Sequence, residues 1–126
     1  MNIQGFRPVD RPLTPHERRL IKWLIEHGTE EAQAFGSQVE ALRVVGECGC
    51  GCPTIDLALE GREPASDRSR IVADMLGRSP EGVELNVFLH VSGEAPSQLE
   101  VYSVAGYEHF GLPEPAALRR WEDAFA

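Results

Sequence analysis

A chain of 126 residues with 42% hydrophobic and 25% charged residues is long enough for one soluble domain, residues 1–126, with a modest core. Twenty acidic residues against twelve basic give a formal charge of −8, a balance that phosphate backbones repel and that a basic protein or a cationic ligand would favour, so no nucleic acid partner is expected. No apolar run reaches the span of a membrane helix, no signal-peptide core follows Met1, and three cysteines, an odd number, fit reduced thiols in a cytoplasm better than a disulfide framework.

In chain order, residues 1–13 are proline-rich and lack periodicity, which predicts an extended arm. Thr14-Pro15-His16-Glu17 then starts a helix: threonine caps, proline suits the first helical position, and Glu17 holds the capping-box position. Leu20, Ile21, Leu24 and Ile25 share one face, and Gly28 is expected to stop the helix in a left-handed conformation. A second, weaker helix opens at Thr29-Glu30-Glu31 with Ala32, Ala34 and Phe35, and ends between Gly36 and Gln38. From Leu42 the pattern is β-like through Val44 and Val45.

After Pro53, Ile55, Leu57 and Leu59 alternate with polar or small residues, as expected of a half-buried strand, and Gly61 to Asp67 is a polar loop. Ile71, Ala73 and Met75 form the next alternating set. Val83, Leu85, Val87, Leu89 and Val91 form the cleanest strand, and Leu99 to Val104 its return after a loop from Ser92 to Gln98. A loop from Ala105 to Glu114 leads to a last helix started by Pro115, with Leu118, Trp121 and Phe125 on one side. Helices followed by short-looped strands predict an α+β fold: an antiparallel meander sheet of four or five strands, N-terminal helices packed on one face, and a short C-terminal helix. Leu57, Leu85, Val87 and Leu89 are then buried under the helix from Thr14 to His27.

Two constellations carry chemistry. The first is Glu47-Cys48-Gly49-Cys50-Gly51-Cys52-Pro53, which holds all three cysteines. Extended backbone would send the three thiols to one side. Thiolates are soft ligands for zinc, copper(I) or iron–sulfur centres, but zinc sites ordinarily pair C-x2-4-C with a second distant pair, which this chain lacks. His16, His27, His90 and His109 have no diagnostic spacing, and no C-x-x-C supports thiol–disulfide exchange. The plainer alternative is that small cysteines and glycines pack where the sheet bends.

The second constellation is the polar face of the sheet. Pairing Val91 with Leu99 sets His90 opposite Glu100 and Phe88 opposite Tyr102, with Asp56, Asp74 and Glu84 in the same outward set. Asp56, Glu84, Phe88, His90, Glu100 and Tyr102 are therefore the expected ligand or partner surface; the alternatives are a merely solvated face, or an acid–base group built on His90 and Glu100. No phosphate loop, G-x-S-x-G, H-E-x-x-H or calcium loop is present, which weakens the standard enzyme classes.

The run from Val44 through Cys48-Gly49-Cys50-Gly51-Cys52-Pro53-Thr54-Ile55-Asp56-Leu57, with the later Leu99-Glu100-Val101-Tyr102 and Leu112-Pro113-Glu114-Pro115, resembles a family of small uncharacterised bacterial proteins. That family shares a C-G-C-P-[ST]-[IV]-x-L run and an L-E-V-Y strand, and the likeness covers most of the chain from Thr14 onward. It implies no activity and transfers no catalytic residue. Some small acidic α+β bacterial proteins are immunity proteins, a likeness of size and charge. The expectation is thus a cytoplasmic bacterial binding module without a cofactor. The competing expectation is a thiol-dependent metal or redox protein holding zinc or copper at Cys48, Cys50 and Cys52.

Overall fold

Local capping chemistry sets the first helix. Thr14 Oγ1 accepts from the Glu17 N–H at 3.0 Å, and Glu17 Oε1 accepts from the Thr14 N–H at 2.8 Å. This reciprocal box opens α1 (Pro15–His27) with Pro15 in its first turn. The computed structural model describes residues 6–63, 68–106 and 109–124. Leu20, Ile21, Leu24 and Ile25 are buried along one stripe, as their spacing predicts.

Gly28 does not end α1 in the left-handed region; its φ of −80° and ψ of −154° are extended. Glycine is required there by proximity, since a Cβ would fall 2.5 Å from the Val72 carbonyl oxygen. The helix end thus lies against a strand, and the Thr29 N–H donates to that same carbonyl at 2.8 Å.

The expected second helix is a 3₁₀ run, Glu31–Ala41. Gly36 and Ser37 are weak α-helix formers, and burial of Ala32, Phe35 and Val39 holds the tighter winding in place.

The described residues form one seven-stranded sheet of β1 (Phe6–Pro12), β2 (Leu42–Cys48), β3 (Ile55–Leu59), β4 (Ser69–Arg78), β5 (Glu84–Ser92), β6 (Ala95–Ser103) and β7 (Arg119–Arg120). Its order is β1-β2-β3-β6-β5-β4-β7, and every neighbouring pair is antiparallel. The α+β class and the antiparallel sheet stand, but seven strands replace the expected four or five. The two additions are edges. Within the expected arm, residues 6–12 form β1; Pro8 and Pro12 confine it to an edge and its register breaks between Pro8 and Arg11. Nor is the sheet one meander, because β3 pairs with β6 and joins two meanders side by side.

Leu57, Leu85, Val87 and Leu89 are buried in one core with Leu20, Ile21 and Leu24 of α1. Alternation fails in β4. A bulge between Ile71 and Ala73 buries both Val72 and Ala73 and leaves Ile71 47% exposed. At the C-terminal end, Pro115–Ala117 makes a single 3₁₀ turn, Leu118 is buried beside Gly77, and Arg119–Arg120 joins the sheet before the short α2 (Trp121–Ala124). The expected Leu118–Trp121–Phe125 face is not formed as one: Leu118 precedes α2, Trp121 is half exposed, and Phe125 lies outside the described residues. Part of the expected loop at Gly61 to Asp67, residues 64–67, also lies outside them. Among the described residues no helix is long and apolar enough to cross a membrane.

Candidate functional site

The cysteine run is a turn, not the extended segment that its alternation predicts. Cys48 ends β2, and the chain reverses before β3 begins at Ile55. The Cys48 N–H donates to the Thr54 carbonyl at 3.3 Å, and the Gly51 N–H donates to the Cys48 carbonyl at 3.4 Å. Gly51 has φ +93°, a conformation that a side chain strains. Thr54 pins the end of the turn to β6: its buried hydroxyl donates to the Val101 carbonyl and accepts from the Val101 N–H, each at 2.9 Å.

The turn brings the thiols together more tightly than a strand would, since next-but-one residues of a strand lie about 6.5 Å apart. The sulfurs of Cys48, Cys50 and Cys52 all lie within 4.8 Å of one another. Cys48 Sγ is 2.9 Å from Cys50 Sγ, and the Cys52 N–H donates to Cys50 Sγ at 3.4 Å. All three are free thiols and half-buried. Burial, reinforced by the bond to Cys50, pushes the Cys48 thiol up to about 12. Burial acts on Cys50 in the same sense, but the Cys48 and Cys52 thiols and the Cys52 N–H outweigh it and hold Cys50 below its ordinary value.

A groove of about 370 Å³ lies beside the triad, walled by Arg7, Arg11, Glu17, Glu47 and Leu112. Arg11 grips both Glu17 oxygens at 2.9 Å and Glu47 at 3.0 Å, and Arg7 meets Glu47 at 3.0 Å. Burial pushes the Glu17 carboxyl up, but Arg11 and Thr14 together hold it below the usual range. The network ties β1, β2 and the start of α1 into one wall. Its two arginines lie in β1, the strand that the proline-rich sequence conceals.

Three histidines are committed elsewhere. His16 Nε2 lies 2.9 Å from the Pro113 carbonyl, and His27 stacks on Trp23 with its Nδ1 2.9 Å from the Trp23 carbonyl. His90 lies on the outer face. His109 stands against the cysteine turn, its Cε1 and Nδ1 each 3.3 Å from the place a Cβ on Gly51 would take.

The outer face is assembled differently from the expected pairing. Leu89, not Val91, is opposite Leu99: the turn at Gly93, φ +61°, closes Ser92 onto Ala95, a bulge between His90 and Val91 then skips one position, and the resulting pairing falls two positions from the expected one. A shift of two preserves the faces. His90 then faces Gln98, Phe88 faces Glu100, and Asn86 faces Tyr102. The expected contacts survive on diagonals: His90 Nε2 lies 2.7 Å from Glu100 Oε1, and the Phe88 and Tyr102 rings are 5.7 Å apart. Ser69, absent from the expected set, holds His90 Nδ1 at 3.1 Å.

Asp56 joins this cluster through Gln98, whose Nε2 donates to it at 3.0 Å, while burial raises its carboxyl against that bond. Glu84 does not join. It sits six residues from His90 on β5, about 20 Å away, beside Arg78 at 3.4 Å. Sequence spacing identified the thiols and most of this face, but it gave no signal for Arg7, Arg11, Ser69 or the placement of His109.

Family models, curated proteins and solved structures return no match to this chain.

Proposed function

We propose that this protein is a thiolate binder of a soft metal cation, zinc or copper(I), held by Cys48, Cys50 and Cys52. One observation carries the proposal: a single turn gathers three free sulfurs within 4.8 Å of one another. Tetrahedral zinc with bonds of about 2.3 Å separates its sulfurs by about 3.8 Å, so the triad fits after Cys48 and Cys50 part by about an ångström. The missing second cysteine pair matters less than its absence from the sequence implies, because a turn lets closely spaced cysteines supply three ligands. Plain packing fits less well, since the cysteines are half-buried whereas structural cysteines are typically buried and inert. Disulfide chemistry would use two sulfurs and leave the third without a role.

The test is elemental analysis and thiol counting on protein purified under reducing conditions without added metal. About one equivalent of zinc or copper is expected, lost in Cys50→Ser, with the thiols alkylating quickly only after a chelator is added. Absence of stoichiometric metal, with alkylation indifferent to chelator, would leave a packed bend.

A second reading is favoured by the outer face, where Phe88 and the 42% exposed Tyr102 sit among His90, Glu100 and Asp74 on a chain of charge −8. On this reading the face contacts a basic protein or cationic ligand. Reduced thiols and the family resemblance are compatible with both readings and with a bacterial cytoplasm.

A further inference from the structure

We infer that His109 supplies the fourth ligand to the cysteine triad and makes the centre a closed Cys3His zinc site. The inference rests on the soft-metal proposal and narrows it, because three thiolates alone satisfy copper(I), whereas zinc in structural sites takes four ligands in a tetrahedron.

Three observations converge on His109. First, its ring lies against Gly51, the residue between Cys50 and Cys52, where a Cβ would stand 3.3 Å from both Cε1 and Nδ1. A side chain at Gly51 would crowd the imidazole, so the glycine serves both the turn, at φ +93°, and the histidine's seat. Second, His16, His27 and His90 each spend a ring nitrogen on Pro113, Trp23 or Glu100, while His109 makes no hydrogen bond among the described residues. Third, the charge is better matched by imidazole than by another anion. Three thiolates leave a zinc centre at −1, and a neutral ligand keeps it there on a chain already at −8.

His109 is not among the group lying within 4.8 Å of one another. Closure therefore needs its ring to swing from the face of Gly51 onto the metal. Its position is exposed, so the swing disturbs no core residue.

X-ray absorption spectroscopy of the zinc-loaded full-length protein tests this directly. The expected shell is three sulfurs at about 2.3 Å and one nitrogen at about 2.0–2.1 Å, with the outer scattering of an imidazole. His109→Ala should keep the three sulfurs, lose the imidazole signature, and weaken zinc at least about tenfold in competition with a chromophoric chelator. His109→Cys should restore four-coordination with a fourth sulfur. An unchanged shell and affinity in His109→Ala would remove His109 while leaving the triad as a site. Stoichiometric copper(I) on three sulfurs with no zinc bound would do the same. Failure of the unsubstituted protein to bind any metal would overturn this inference together with the proposal beneath it.

Discussion

Glu17 shows how much one side chain carries here. It caps α1 through Thr14 and receives both arms of Arg11, joining the helix start to an edge strand. Because its folded pKa lies below the unfolded value, its contribution is present above the ordinary carboxylate range and is lost as pH falls through the folded pKa. Glu17→Gln should cost about 2 kcal/mol at pH 7, between the values typical of exposed and of fully buried pairs. The gap between variant and parent should narrow toward pH 3. Urea unfolding at both pH values measures it, and an equal gap at each would separate the carboxylate from acid stability. The box itself was legible, because Thr14 and Glu17 interact within one turn. Arg11 was not, because its partner is defined only when β1 docks.

At the scale of elements, β5 is the strand on which the core depends. Leu85, Val87, Leu89 and Val91 are all fully buried, and both β4 and β6 pair with it. Leu89→Ala should cost about 2–5 kcal/mol in chemical denaturation. A loss under about 0.5 kcal/mol, the size of a surface substitution, would mean that this face is not the core. Strict alternation made the faces of β5 readable. The β5–β6 register was not readable to the residue, because bulges insert or skip a position without altering the pattern of apolar residues. Bulging also explains why Ile71 and Ala73, two apart in sequence, lie on opposite sides of β4.

Across the whole molecule, the sheet separates two chemistries. The thiols sit at the β2–β3 end beside β1 and α1, while His90, Glu100, Phe88 and Tyr102 lie on the outer face of β5 and β6. Substitutions in one should therefore leave the other intact, as expected for sites without shared partners. Charge reversal at Glu84 and Glu100 should slow association with a basic partner and flatten its dependence on salt, measured by stopped-flow at two ionic strengths. The larger effect belongs to Glu100, which lies within the aromatic cluster, since Glu84 already has Arg78 as a neighbour. Unchanged kinetics in both variants would move the contact surface elsewhere.

Local physics determined what the sequence shows by itself: the capped helix from Pro15 to His27, the buried sets of β3 and β5, the acidity, and the gathering of every cysteine into one run. Each depends on neighbours within a few positions, where periodicity and capping act directly. The tertiary structure decided the rest. Pairing with β2 turned a proline-rich arm into β1, and pairing with β4 made a strand of Arg119–Arg120. Closure of the β2–β3 turn converted an apparent strand into a cluster of sulfurs, and the path of the chain after β6 brought His109 to Gly51. Edge strands, turns and distant approaches take their energy from partners far along the chain, so residues that look featureless locally acquire structure only when those partners arrive.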